Sequence, residues 1–422
     1  MKQSSKAILI AFVGVVLGLL IASRHQLFDK TPPVLVSESW ADLGSAAAHP
    51  DGADAAHDGG PPSHAVFGQL QIDLVAHDAD NDVYVGATLD GEKLAVERRE
   101  HATFRLDIDA DTLAEGEHVL ALDIHDQSFA GNGFALTRSF AVDRTPPTLE
   151  LGRSSGTAAQ GATAAIFVRA SEPLAHLRGA LGDDALPAFV PLDDGLTWRS
   201  LTGINVKRAP GDTPLTIDAV DTAGHLTSLQ APVTISATRF PEGGVVQLSP
   251  KKQEDMLDKA KSKESNDKRS AAYATEVGLR VPDAPFLIPA EGPVSSAFGK
   301  VRRYNTGVVR HHLGTDLAVP RGAPVAASAA GQVVLAELLH IYGNAVIVNH
   351  GDGVSTSYNH LSRIDVAPGD VVAAGDVVGA VGSTGQSTGP HLHWGMVVDG
   401  TAVAAEQWTT RRFARPLPDD FD

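Results

Sequence analysis

Seven of the seventeen histidines fall between positions 311 and 393, and two groupings among them could do chemistry. They are His312-Leu-Gly-Thr-Asp316 and His391-Leu-His393. On a strand, residues two and four apart share a face. His312 and Asp316 can therefore project together if their segment is extended, and so can His391 and His393. Imidazole nitrogen and carboxylate oxygen are good zinc donors, and three protein ligands beside one open position mark a catalytic site. An isolated His-x-His is more often incidental, so the pair of groupings carries more than either alone. The chain has no HExxH, which leaves no glutamate base of that type. An imidazole, with an unperturbed pKa of about 6.5, can take the role.

The surroundings of these residues extend the pattern. His391 is led in by Gly382-Ser-Thr-Gly-Gln-Ser-Thr-Gly-Pro390, and upstream stand Ser296-Ala-Phe-Gly299, Gly343-Asn344 and Tyr358-Asn-His360-Leu-Ser362. In this order and spacing the segment closely resembles lysostaphin-like, LytM-type zinc endopeptidases over about residues 290–408. The resemblance implies a largely antiparallel β structure with a narrow groove over the metal. It implies that His312, Asp316 and His393 bind zinc, and that His391 and His360 are the catalytic histidines free of metal. His391 is assigned as the base, and His360 as the group that orients water or stabilises the oxyanion, the exchange of these two roles being the alternative. All five residues are present, whereas members that only activate other wall hydrolases have typically lost ligands. Asn359 stands where a small residue is common.

Other residues in the region carry less. Tyr304 and Asn305 are candidates for the substrate groove, set against simple packing. His311 and His340 read as bystanders and His350 as structural. Gly382, Gly385 and Gly389 read as supplying the backbone freedom that brings His391 into place. The Val366-Ala-Pro-Gly-Asp370 and Val372–Gly379 hairpins look like those of lipoyl and biotinyl carriers. A carrier needs a lysine there, and none follows Lys300.

What must position this site can be read further up the chain. Residues 7–22 are sixteen uncharged apolar residues flanked by Lys2, Lys6 and Arg24, which reads as an uncleaved signal-anchor membrane helix over 1–25, with a cleaved signal peptide as the alternative. The rest of the chain would then be exported, into the periplasm where an outer membrane exists. Residues 26–143 and 144–240 read as two bacterial immunoglobulin-like β-sandwiches. Leu70, Ile72, Leu74 and Ala76 alternate with polar residues, as do Leu120, Leu122 and Ile124, the period of a half-buried strand. Gly116-Glu117 followed by residues 122–126 matches Gly211-Asp212 followed by 217–221, and Thr31-Pro32-Pro33 resembles Thr145-Pro146-Pro147. The Ala-, Asp-, Gly- and His-rich stretch 37–64, with His49, His57 and His64, reads in its latter part as a flexible loop. Asp78, Asp80 and Asp82 lack the Gly and Glu of a calcium loop and read as a polar turn. Residues 241–285 read as a charged helical linker opened by Ser249 and Pro250, mostly solvated. A C-terminal peptidase domain over 286–415 completes a mainly β chain, with strands expected at Gln332–Leu335, Ala345–Asn349 and Val371–Val381.

Composition removes several classes. Lys and Arg number 34 against 51 Asp and Glu, a net charge of −17, and no basic footprint for nucleic acid appears. The absence of cysteine excludes disulfides, thiolate zinc, Fe–S clusters, a Cys nucleophile and a lipoprotein anchor. The expectation is a membrane-anchored zinc endopeptidase acting on peptidoglycan peptides, with the sandwiches open to an envelope protein partner. The rival is a non-catalytic scaffold or activator of another wall hydrolase.

Overall fold

The computed structural model describes residues 33–42, 56–58, 66, 68–77, 83–100, 102–126, 132–247 and 249–421. The apolar segment 7–22, His49, His64 and the acids at 78, 80 and 82 lie outside them. Among the described residues, no helix is long and apolar enough to cross a membrane. The chain is mainly β and divides into two compact units.

The first unit is built on residues up to Pro147. Its core lies between a five-stranded sheet, centred on Gln69–His77, and a four-stranded sheet that includes Gly116–Asp126. The two alternating runs are these strands: Leu70, Ile72, Leu74 and Ala76 are buried in one, and Leu120, Leu122 and Ile124 in the other. The expected loop is strand in part. Ala56–Asp58 pairs antiparallel with Ser39–Ala41 of Val34–Asp42, because a backbone ladder at a sheet edge needs no side-chain periodicity.

The internal repeat is structural. Gly116–Asp126 and Gly211–Asp221 are both eleven-residue strands that begin on a glycine with positive φ, 119° and 122°. Each ends on a buried aspartate that accepts from the chain a few residues further on. Asp126 accepts hydrogen bonds from Asn132 N–H and Nδ2, and Asp221 accepts from the Gly224 and His225 amides.

The second unit takes the residues from Thr148 onward apart from Leu174–His176 and Ala219–Thr227, and contains the candidate site. Strand β1 (Glu242–Val246) runs parallel to β2 (Val301–Tyr304), which pairs with β3 (Val309–His311). Between them lie helices α1 (Pro250–Leu257) and α2 (Lys259–Tyr273). The main sheet is antiparallel. Its order is β4 (Thr315–Leu317), β8 (Leu392–Val398), β7 (Val354–Leu361), β6 (Gly343–Gly351) and β5 (Gly331–Leu339), with Val294–Ser296 and Val371–Val372 at its edges. The run 371–381 is not one strand. It breaks into Val371–Val372 and Val377–Ala380 around Gly375, whose φ of +93° suits glycine.

The charged linker is not a solvated spacer. Asp258 caps α2, its side chain accepting from Lys261 N–H, and the helix packs on the sheet. Ala272 is buried in a cluster with Leu335, Leu339, Ala345 and Ile347, with Tyr273 and Tyr342 against it. Lys268 pairs with Glu337, and the Ser265 hydroxyl accepts from the His340 amide. A handful of small and aromatic residues on one face suffices to dock a helix whose average residue is polar.

Candidate metal centre

Strand register brings the first two side chains together. Asp316 on β4 stands opposite His393 on β8, and His393 stands opposite Asn359 on β7. His312 does not arrive by strand periodicity as expected. It lies between β3 and β4, and the chain bends at Gly314 before Asp316 enters the ladder. A Cβ at Gly314 would sit 2.6 Å from both Nε2 and Cε1 of His393. Glycine here leaves the ring its place.

Three donor atoms converge. His312 Nε2 lies 3.0 Å from Asp316 Oδ1, His393 Nδ1 lies 2.9 Å from the same oxygen, and the two nitrogens are 3.0 Å apart. Tetrahedral zinc with bonds of about 2.0–2.1 Å separates its ligand atoms by roughly 3.3 Å, so the triangle fits such an ion with a small expansion. The donor set of two imidazoles and a carboxylate also suits it. His312 Nδ1 contacts Ala297 O at 3.1 Å, which directs the proton there and frees Nε2. Arg302 donates to Asp316 Oδ2 and to Ser296 Oγ, fixing the carboxylate from its other side. Burial alone would raise the Asp316 carboxyl, but the His312 and His393 imidazoles packed against it hold it far below the usual carboxylate range.

Two further imidazoles face the triangle. His391 Nε2 lies 3.7 Å from Asp316 Oδ1, and its Nδ1 is 2.9 Å from Gly389 O. The His360 ring centroid is 4.9 Å from that of His391 and 5.9 Å from that of His393. His360 Nδ1 donates to Thr384 O at 2.8 Å, leaving Nε2 as the free nitrogen. Burial, then the nearby charges of His393 and His391, push His360 down to about 3, and burial first pushes His393 down to about 4.

The way β7 delivers His360 could not be read from alternation. Tyr358 pairs with Val346 but Leu361 with Asn344, so β7 carries an extra residue, and His360 has φ +62°. A bulge of this kind re-aims side chains. Here Tyr358 and Leu361 both enter the core, while His360 turns to the groove beside Ser357.

Residues 310–405 match peptidase family M23. The C-terminal part of this chain is a family M23 peptidase domain. It is 46% identical over 110 residues to the DD-carboxypeptidase/endopeptidase Mpg of Neisseria meningitidis serogroup B, covering 26% of this chain and 25% of the relative. Over 121 residues it is 42% identical to the peptidoglycan DD-endopeptidase ShyA of Vibrio cholerae, covering 28% of each chain. Among solved structures, the catalytic domain of lysostaphin from Staphylococcus simulans matches at 32% identity and TM-score 0.24, over 29% of this chain and 90% of that domain. The chain spans about a quarter of the length of the curated relatives it matches.

The remaining candidates separate. Tyr304 lines the groove and Asn305 does not; Asn305 N–H donates to Val246 O at 3.2 Å instead. His311, read as a bystander, lines the groove with its Nδ1 against Gly299 O. His340 is tied by its amide to Ser265, away from the groove lining. His350 is fully buried. Gly385 has φ +69° and Gly382 abuts Ser362 N, where a Cβ would sit at 2.3 Å. Gly389 needs neither freedom; its contribution is the carbonyl that faces His391. Missed altogether was Arg269 of α2, whose Nη1 donates to Asn359 Oδ1 at 3.0 Å, while Asn359 Nδ2 donates to His393 O.

Proposed function

We propose that the chain is a membrane-anchored zinc metalloendopeptidase that hydrolyses peptide cross-links or bridges of peptidoglycan on the exported side of the cytoplasmic membrane. His312, Asp316 and His393 would hold the zinc, which supplies Lewis acidity and an acidified water when bound. The observation that carries the reading is the convergence of three donor atoms within 2.9–3.0 Å of one another, faced by two imidazoles outside the triangle. The relatives, a peptidoglycan DD-endopeptidase and a DD-carboxypeptidase/endopeptidase, supply the substrate class. The apolar segment 7–22 supports the anchor and the exported location.

Both imidazoles direct Nδ1 at a backbone carbonyl and present a free Nε2, and we assign the base to His391, whose Nε2 lies 3.7 Å from Asp316 Oδ1. With Nδ1–H directed at Thr384 O, neutral His360 presents only a lone pair at Nε2. It therefore accepts a hydrogen from the attacking water and orients it, rather than donating to an oxyanion. His391 Nε2 takes the proton and returns it to the leaving amine, while its Nδ1–H stays on Gly389 O. Two backbone carbonyls thus hold both rings in position before substrate arrives.

The test is to incubate the full chain, zinc-loaded, with defined cross-linked muropeptides and identify products by mass spectrometry. Cleavage of a peptide bond supports the reading. An intact substrate beside a folded, zinc-loaded protein overturns it in favour of a non-catalytic regulator.

A further inference from the structure

The groove over the triad has a charge opposite to that of the chain. Its cavity of about 460 Å³ is lined by Arg269, Arg302 and Arg310 and by no carboxylate, in a protein of net charge −17. The three come from separate places. Arg269 belongs to α2, Arg302 to β2 and Arg310 to β3.

Their engagements differ. Arg302 is committed to Asp316 and Ser296. Arg269 is held rigid, with Nη2 on the Tyr273 hydroxyl at 2.6 Å, Nη1 on Asn359 and its guanidinium 3.7 Å from the Tyr342 ring centroid. Arg310 is exposed and, among the described residues, makes no side-chain hydrogen bond or ion pair. It stands directly opposite Arg302 in the β2–β3 ladder. Like charges so placed do not favour a strand pair, and Asp316 is already shared between Arg302 and the histidines.

We infer that Arg310, with Arg269 on the helical wall, forms a subsite for a free carboxylate of the peptide substrate. This deepens the peptidase reading and rests on it: the groove takes acidic peptides in preference to their amides. A guanidinium fork matches a carboxylate bidentately, and a bond to a charged partner is worth more than a neutral one. Arg269 is the pre-organised member and Arg310 the one with all its donors available.

The test is equilibrium binding by fluorescence anisotropy, followed by turnover, with the full zinc-loaded chain. The probes are a cross-linked peptide with free carboxylates, its C-terminal amide and its side-chain amide. The free acid should bind about tenfold more tightly than one of the two amides, the value for a single charged hydrogen bond, and which amide loses affinity identifies the carboxylate. Arg310→Gln should abolish most of that preference by weakening the free acid towards the affinity of its amide, and Arg310→Lys should restore part of it. Equal binding of acid and both amides by the wild type overturns the subsite, as does a preference that Arg310→Gln leaves intact. Because binding is read apart from turnover, a protein that prefers the acid yet cleaves nothing refutes the peptidase reading alone.

Discussion

Gly314 lies directly against the His393 ring, so close that a Cβ there would sit 2.6 Å from Nε2 and 2.8 Å from the Trp394 carbonyl oxygen. Contacts that short require the ring or the β8 backbone to move. The glycine between His312 and Asp316 is thus part of how the third ligand is seated.

Gly314→Ala should therefore act on metal binding more than on folding. Overpacking costs about 1–3 kcal/mol of stability, whereas a misplaced ligand should weaken zinc by at least about tenfold. Competitive chelator titration, with thermal unfolding of the metal-free protein alongside, separates the two. Unchanged zinc affinity would show that the ring accommodates the methyl group.

Arg302 makes a second such prediction. Its bonds to Asp316 Oδ2 and Ser296 Oγ orient the carboxylate that faces the triad. Arg302→Met should weaken zinc by about 10- to 100-fold, the usual effect of removing an outer partner of a ligand. Equal or tighter binding in the same titration would mean that the guanidinium opposes the ion rather than positioning its ligand.

His350 contributes to the acid limit of the domain beside the buried His360 and His393. Its Nδ1–H donates to Ala330 O at 2.8 Å, so its Nε2 accepts from the Thr356 hydroxyl, also at 2.8 Å. Thr356 in turn accepts from the Tyr358 hydroxyl, which accepts from the Ser328 amide at 2.7 Å. Every proton in this chain has one place, and a second proton on His350 has none. Burial pushes its pKa down to about 4, against about 6.5 when unfolded. The stability it contributes is present above pH 6.5 and lost as pH falls towards 4, on the order of 3 kcal/mol in all. Denaturant titration of the metal-free chain at pH 7.5 and 5, beside NMR titration of the His350 ring, checks both the loss and its origin. A ring that protonates near pH 6.5 would contradict the account.

How much of this could be read from residue types depends on whether the signal was local. Alternation at Leu70–Ala76 marked a strand because one face is core and the other solvent. Asp316 and His393 were visible as donors with definite spacing, and the ladder sets them opposite each other. His360 was visible only through resemblance. The extra residue in β7 breaks the period of two, and nothing local reveals a bulge set by its neighbours' register. Arg269 was hidden for a different reason. Its helix is polar on average, and its docking depends on Ala272 and Tyr273 meeting a sheet formed some seventy residues later. Asn305 was named for its neighbour Tyr304, yet β2 ends at Tyr304 and Asn305 already belongs to the turn that follows.

The most direct test separates holding the metal from using it. The full-length wild type, His393→Ala and His391→Ala would each be assayed for zinc content by mass spectrometry and for cleavage of cross-linked muropeptides. The account predicts one zinc with cleavage in the wild type, neither in His393→Ala, and one zinc without cleavage in His391→Ala. A His391→Ala protein that cleaves at the wild-type rate, or a His393→Ala protein that retains zinc, would contradict it.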